Sequence, residues 1–304
     1  MIYTFYSFLA NEELMHELNV MHCYPAENIL PLLTYCINPP CLVFQYMHNG
    51  ALSQKLRDKK NPLNWRHRTN IALGIARGLC HLHGNKIVHG DIKSNNILLD
   101  RHLEPKIGDF GTVQLLYNNR GKETTCLTLP NISGFTEYYL PKWYTEEKRF
   151  GRSVRKAVDI FSFGIVILEI MSGRLPPDKD AKNRSLRQFV NEDIHNHDIP
   201  PPEYIVSSDS NERLFNIPTV DGILPSDWAN ILFDIAKAST IDQTEECPNP
   251  WKYLLSIEQV HQGLNNCNIC YLLHIGEEPL QVVAKEEINE LAKTVRNRFC
   301  DGHS

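Results

Sequence analysis

Residues 88–100 read VHGDIKSNNILLD, and this stretch decides how the rest of the chain is understood. It sets Asp91, Lys93 and Asn96, with His89 ahead of them, between the apolar segments Ile87–Val88 and Ile97–Leu99. Apolar flanks of this kind read as buried strands. A loop carrying that much charge between two such flanks needs a chemical reason. The carboxylate of Asp91 can accept a proton from a hydroxyl, and the ammonium of Lys93 can neutralise a phosphate. The amide oxygen of Asn96 can bind a hard cation. Further on, IGDFG presents a second carboxylate, Asp109, on a glycine-containing turn. It suits Mg2+, which keeps several waters and takes only one or two carboxylates from protein.

Working outward, NWRHRTNIALGIARGLCHLHGN predicts a long amphipathic helix with Ile71, Ile75, Leu79 and Leu82 inside, capped at Gly84–Asn85. On the other side, EPKIGDFGTVQLL reads as a short strand running into a turn. VDIFSFGIVILEIMSG is apolar nearly all round and predicts a helix buried in the domain centre. Near the start, NEELMHELNVM places Leu14, Leu18 and Met21 on one helical stripe with Glu17 at its edge. ENILPLLTYCI and CLVFQYM follow as two strands with Pro39 and Pro40 turning between them, and a more helical region opens at Gly50 and Leu52. Residues 174–225 are polar and proline-rich, and read as surface loop. DWANILFDIAKAST and WKYLLSIEQVHQGL predict later helices. VVAKEEINELAKTVRNRF predicts a last one, whose mixed charges suit packing rather than a membrane.

The totals fit this layout. The chain has 304 residues, 42% hydrophobic and 22% charged, as in an ordinary soluble globular protein. A net charge of −5 offers none of the basic surplus that nucleic-acid binding usually shows. The opening residues lack the pattern of a signal peptide, and IFSFGIVILEIM is too short and too polar to span a bilayer. Nine cysteines without a secretory signal read as reduced thiols, CNIC at Cys267 and Cys270 included, since no second pair follows at metal spacing. The expected location is cytoplasmic.

The motifs together resemble the eukaryotic protein kinases. HGDIKSNN stands where the family has H-R-D-L-K-x-x-N, DFG where it has D-F-G, and EYYLP at the start of its A-P-E segment. DIFSFGIVILEIMSG is similar to the family's buried helix, with Asp159 in place. Four motifs in order are specific where one alone is weak. HGDIKSNNILLD, PKIGDF, CLVFQYM and YLP are most similar to Pelle and the interleukin-1-receptor-associated kinases. That resemblance implies an α+β protein kinase-like fold, with a truncated N-lobe of helix C plus two strands and a mainly helical C-lobe. The expected division is residues 1–47, 48–265 and a C-terminal helical tail, 266–304.

The resemblance also implies roles. Asp91 would be the catalytic base and Lys93 would touch the transferred phosphate, while Asn96 and Asp109 would hold Mg2+. Phe44, Gln45, Tyr46 and Met47 would line the adenine pocket and linker of an ATP site, with Leu98 beneath the base. Partners would be ATP, protein substrates carrying Ser or Thr, and adaptors of Toll-type innate immune signalling, with recruitment to membrane receptor complexes. Thr124, Thr125, Thr128, Ser133 and Thr136 stand in the activation segment as candidate phosphosites.

The sequence also departs from the family pattern. No lysine or arginine precedes Lys55 and no glycine precedes Gly50, so no phosphate-covering glycine loop or strand lysine is written here. Gly90 replaces an arginine, Phe135 stands at an expected threonine, Lys142 at the A-P-E glutamate and Cys247 at its arginine partner. Without a lysine, Glu17 is expected to be a solvated helix residue, and His89 a packed structural histidine. Two functions follow: a serine/threonine kinase, or a pseudokinase acting as a binding scaffold.

Overall fold

The fold grows around one helix whose ends are written locally. In the computed structural model, Asn64 accepts the amide of His67 at 2.9 Å and so caps the start of a helix over Trp65–Gly84. Its far end closes where the Asn85 amide returns to the carbonyls of His81 and Leu82. Ile71, Ile75, Leu79 and Leu82 are all fully buried along its inner face, as their spacing predicts. The structure describes residues 11–38, 40–58, 60–116, 127–128, 138–141, 144, 153–154, 156–176, 186, 232, 235–236, 239–240 and 256–274.

In chain order the described elements are α1 (Asn11–Cys23), β1 (Leu32–Ile37), β2 (Pro40–Phe44), α2 (Leu52–Leu56), α3 (Trp65–Gly84), β3 (Ile87–Val88) and β4 (Ile97–Leu99). They continue with β5 (Pro105–Ile107), β6 (Gln114–Leu115), β7 (Leu127–Thr128), β8 (Ser153–Val154), α4 (Lys156–Ser172) and α5 (Ile257–His274). The strands form four antiparallel pairs, β1–β2, β3–β6, β4–β5 and β7–β8. The layout is α+β: a helix and a hairpin first, then mainly helices joined by short ladders.

Each apolar flank of the 88–100 stretch is indeed a strand. β3 pairs with β6 through Ile87↔Leu115 and Val88↔Gln114, and β4 pairs with β5 through Ile97↔Ile107 and Leu99↔Pro105. α3 packs on α4, α5, β3 and β5. α4 sits at the centre, with every residue from Val158 to Ser172 buried, which a helix apolar all round requires. Close approach between α3 and β5 depends on two glycines. A Cβ on Gly74 would lie 2.4 Å from Pro105 Cγ, and one on Gly78 would lie 2.7 Å from Ile107 Cδ1.

The first elements dock by a separate route. Leu18 of α1 and Leu42 of β2 share a small apolar cluster with Leu32 and Phe44. Residues 28–30 then run parallel to β5: Leu30 donates to the Ile107 carbonyl at 2.8 Å, and Ile107 donates to that of Asn28 at 2.9 Å. The buried Asn28 side chain adds a bond to the Pro105 carbonyl at 3.0 Å. β1 carries an irregularity at Leu33 and leaves Leu33, Tyr35 and Ile37 exposed.

α5 runs unbroken past residue 265, on which the expected tail boundary falls. Of the expected 174–225 loop only residues 174–176 and 186 are described, and the predicted helix at 282–299 lies outside the described residues. Leu232, Ile235 and Ala236 are buried helical positions within DWANILFDIAKAST. Among the described residues no helix is long and apolar enough to cross a membrane.

Candidate active site

The loop after β3 is hung from a buried carboxylate. Asp159, at the start of α4, accepts the His89 amide on Oδ2 at 2.9 Å and the Gly90 amide on Oδ1 at 2.8 Å. His83 Nε2 lies 2.9 Å from the same Oδ2. Gly90 has a φ of 81°, a left-handed conformation that glycine adopts without steric cost. This explains why glycine suits that position.

His89 is the structural histidine that the sequence suggests. It is fully buried, and its Nε2 donates to the Gly108 carbonyl at 3.1 Å while Nδ1 accepts the Asp91 amide at 3.3 Å. Its ring meets Phe110 edge-on, with centroids 5.1 Å apart. Thr112 Oγ1 donates to the His89 carbonyl at 3.0 Å. Through these bonds the loop at 89–96 and the turn at 108–112 hold each other.

Asp91 is mostly buried, and two side chains converge on its Oδ2. Lys93 Nζ lies 2.7 Å away and Asn96 Nδ2 2.9 Å, with Asn96 also donating to the Asp91 carbonyl at 3.0 Å. These bonds use the nitrogen of the Asn96 amide and leave its oxygen as the atom suited to a cation. The Asn96 carbonyl accepts the Gly108 amide at 2.9 Å, so Asp109 follows one residue after a direct bond to Asn96. Asp109 itself is exposed, with a left-handed φ of 62°. A carboxylate and an amide oxygen are the hard donors Mg2+ prefers, and phosphate and water complete its shell. Among the described residues no group of three or more His, Cys, Asp or Glu forms a metal cage, and Mg2+ does not need one.

Residues 44–51 run alongside β4. The Gln45 amide bonds the Pro31 carbonyl at 3.0 Å, the Asn49 amide bonds that of Leu99 at 3.0 Å, and Ala51 bridges Leu98. Met47 is buried, Gln45 is exposed, and Tyr46 meets the ring of His48 edge-on. Phe44 packs with Leu18 and Leu42 at the foot of the hairpin, and Leu98 is partly buried. Of this segment, Asn49, Gly50 and Ala51 contact β4, while Phe44 and Gln45 contact the hairpin and the residue before it.

One expectation is overturned. Glu17 is not solvated: only 6% of it is exposed, and its Oε1 accepts the Phe110 amide at 3.3 Å. Burial pushes its carboxyl above the usual range; the Phe110 bond opposes that rise, and the nearby charge of Asp109 adds to it. Docking of α1 onto the 108–112 turn is what buries it.

A second buried cluster escaped the sequence reading. Ser94 Oγ and Tyr139 Oη both donate to Glu169 Oε1, at 3.0 and 2.8 Å, and all three residues are fully buried. Burial, followed by the Glu169 charge, holds the Tyr139 phenol far above its ordinary range. The available signal was Glu169, a second carboxylate after Asp159 in the mostly apolar α4 sequence. Of the candidate phosphosites only Thr128, in β7, lies among the described residues, and Phe135, Lys142 and Cys247 lie outside them.

The family model for protein tyrosine and serine/threonine kinases matches residues 6–207. The chain belongs to the protein kinase family. This kinase chain is 37% identical over 201 residues to the Pelle-like serine/threonine-protein kinase pik-1 of Caenorhabditis elegans, a match covering 62% of the chain and 40% of the relative. It is 40% identical over 185 residues to the serine/threonine-protein kinase pelle of Drosophila melanogaster, covering 58% and 35%. A plant relative, the LRR receptor-like serine/threonine-protein kinase FEI 2 of Arabidopsis thaliana, is 35% identical over 167 residues, covering 53% and 27%. These matches span well under half the length of the relatives. The relatives named here are serine/threonine-protein kinases by name, and kinases as a class use ATP and Mg2+.

Proposed function

We propose that this chain transfers the γ-phosphate of ATP to Ser or Thr hydroxyls of signalling proteins. The observation that carries this reading is the pair of hydrogen bonds that Asn96 Nδ2 donates to the Asp91 carbonyl and Oδ2, together with the hydrogen bond from the Gly108 amide to the Asn96 carbonyl. These contacts support a single cleft lined by Asp91, Lys93, Asn96 and Asp109. Asp91, its carboxylate fixed by two donors, orients the attacking hydroxyl and accepts its proton. Lys93 sits on that same carboxylate, where its ammonium can meet the transferred phosphoryl oxygens. Asn96, through its amide oxygen, and Asp109 would hold Mg2+, which when bound neutralises the triphosphate charge. Phe44, Gln45, Tyr46, Met47 and Leu98 would form the adenine pocket. Two of the relatives are named for Pelle; on that resemblance the proposal extends to Toll-type innate immune signalling, with adaptors as partners and a cytoplasmic location recruited to receptor complexes.

A second reading, a scaffold with little catalysis, has its own observation. Glu17 is buried, and its Oε1 accepts the Phe110 backbone amide. One experiment separates the two. The full chain is incubated with Mg-ATP and a Ser/Thr peptide library, beside D91N, and phosphate incorporation and thermal shift are both read. Transfer that falls roughly 10²–10⁴-fold in D91N supports the kinase. No transfer above the D91N background, with no nucleotide-dependent rise in Tm, selects the scaffold.

A further inference from the structure

We propose that Cys36 and Cys41 are a paired oxidation site, closed by hydrogen peroxide into a disulfide across the β1–β2 hairpin. The two residues are Cα partners in the antiparallel register, and both are free thiols. Directly opposed side chains share a face, with Cβ atoms about 4.5–5.5 Å apart and closer at pairs without ladder hydrogen bonds. A disulfide needs Cβ atoms about 3.5–4.5 Å apart and Cα atoms about 4.4–6.8 Å apart. As Cα partners in an antiparallel pair, Cys36 and Cys41 have Cα atoms about 4.5–5.5 Å apart, which lies within the Cα range of a bridge.

Exposure orders the steps. Cys36 is partly exposed, and its thiol donates to the Asn38 carbonyl at 3.3 Å, at the rim of the turn. Cys41 is buried. Peroxide therefore meets Cys36 first: its thiolate attacks one peroxide oxygen, the O–O bond breaks, and hydroxide leaves as water after taking the thiol proton. The product is a sulfenic acid. A χ1 rotation turns this sulfur from Asn38 toward Cys41, whose sulfur attacks it. The S–O bond breaks, a second water departs with the Cys41 proton, and the S–S bond forms. Two thiols are oxidised and one peroxide is reduced to two waters.

The other described cysteines serve as internal comparisons. Cys23 is a free, exposed thiol at the end of α1. Cys80 donates to the Ile257 carbonyl, and burial pushes its thiol up to about 11, away from the reactive thiolate.

The sequence makes the test clean. Trypsin with a glutamate-specific protease releases residues 28–55, holding only Cys36 and Cys41, and residues 18–27, holding only Cys23. The full chain is titrated with hydrogen peroxide, alkylated and digested. Residues 28–55 should arrive two hydrogens lighter and unalkylated, and dithiothreitol should restore both thiols, while residues 18–27 remain alkylated. In C36S, Cys41 should stay alkylatable. The proposal is overturned if Cys23 gains oxygen while residues 28–55 keep both thiols, or if Cys36 gains oxygen without closing. Equal closure in urea also overturns it, because sequence proximity alone would then suffice.

Discussion

Asp159 and His89 stand 70 residues apart in the chain, yet Asp159 Oδ2 accepts the His89 amide at 2.9 Å. The second oxygen takes the Gly90 amide, so one carboxylate fixes the backbone that leads into Asp91. D159A leaves the buried His89 amide and the part-buried Gly90 amide without this acceptor, at about 1–3 kcal/mol for the buried one. Urea denaturation should show that loss, with phosphotransfer reduced even in the fraction that stays folded. Unchanged stability would show that the loop does not depend on this anchor.

Glu17 makes a separable prediction. E17Q keeps an acceptor for the Phe110 amide and removes a carboxyl that burial disfavours in its charged form. Its stability should equal or exceed that of the parent. E17A strands the amide and should cost about 1–3 kcal/mol. Equal denaturation midpoints for the two variants would contradict the bond.

The helix–strand contact can be probed by two alanines on the same helix. G74A forces a methyl against Pro105 and Asn28 and should destabilise by about 1–3 kcal/mol. At Gly84 nothing lies within 4 Å of the added carbon, so G84A should stabilise by about 0.4–1 kcal/mol. Thermal melts of the pair decide whether α3 and β5 lie as close as described.

His261, on α5, supplies the pH dependence. Burial first, and then the charge of Arg77, lower its pKa below the ordinary 6.5. Between that lowered value and 6.5 the unfolded chain binds more protons than the folded one, so stability rises with pH across this window. The stabilising share is fully present above 6.5 and is lost as pH falls through the lowered value. H261Q should flatten the slope of denaturation midpoint against pH below 6.5; an unaltered slope would remove His261 as its source.

What the sequence made legible was local. The caps and inner face of α3, the strand flanks at Ile87–Val88 and Ile97–Leu99, and the buried α4 each carry their signal within a few residues. That Asp91 and Asn96 share one short loop was readable, while the hydrogen bonds between them came only with the structure. Long-range partners left no such mark. Glu17 looked solvated because its burial is created by Phe110, 93 residues away. Ser94, Tyr139 and Glu169 meet only once α4 is in place, and the pairing of residues 28–30 with β5 depends on how distant segments dock.

That last pairing has a mechanical meaning. Leu30 and Asn28 clasp Ile107 from both sides of its peptide unit, and the hairpin begins just after Leu30, as the turn bearing Asp109 begins just after Ile107. Hairpin and turn therefore share a fulcrum. The first elements and the turn that bears Asp109 are thereby tied through two backbone rungs, with the Asn28 side chain on Pro105 as a third strut.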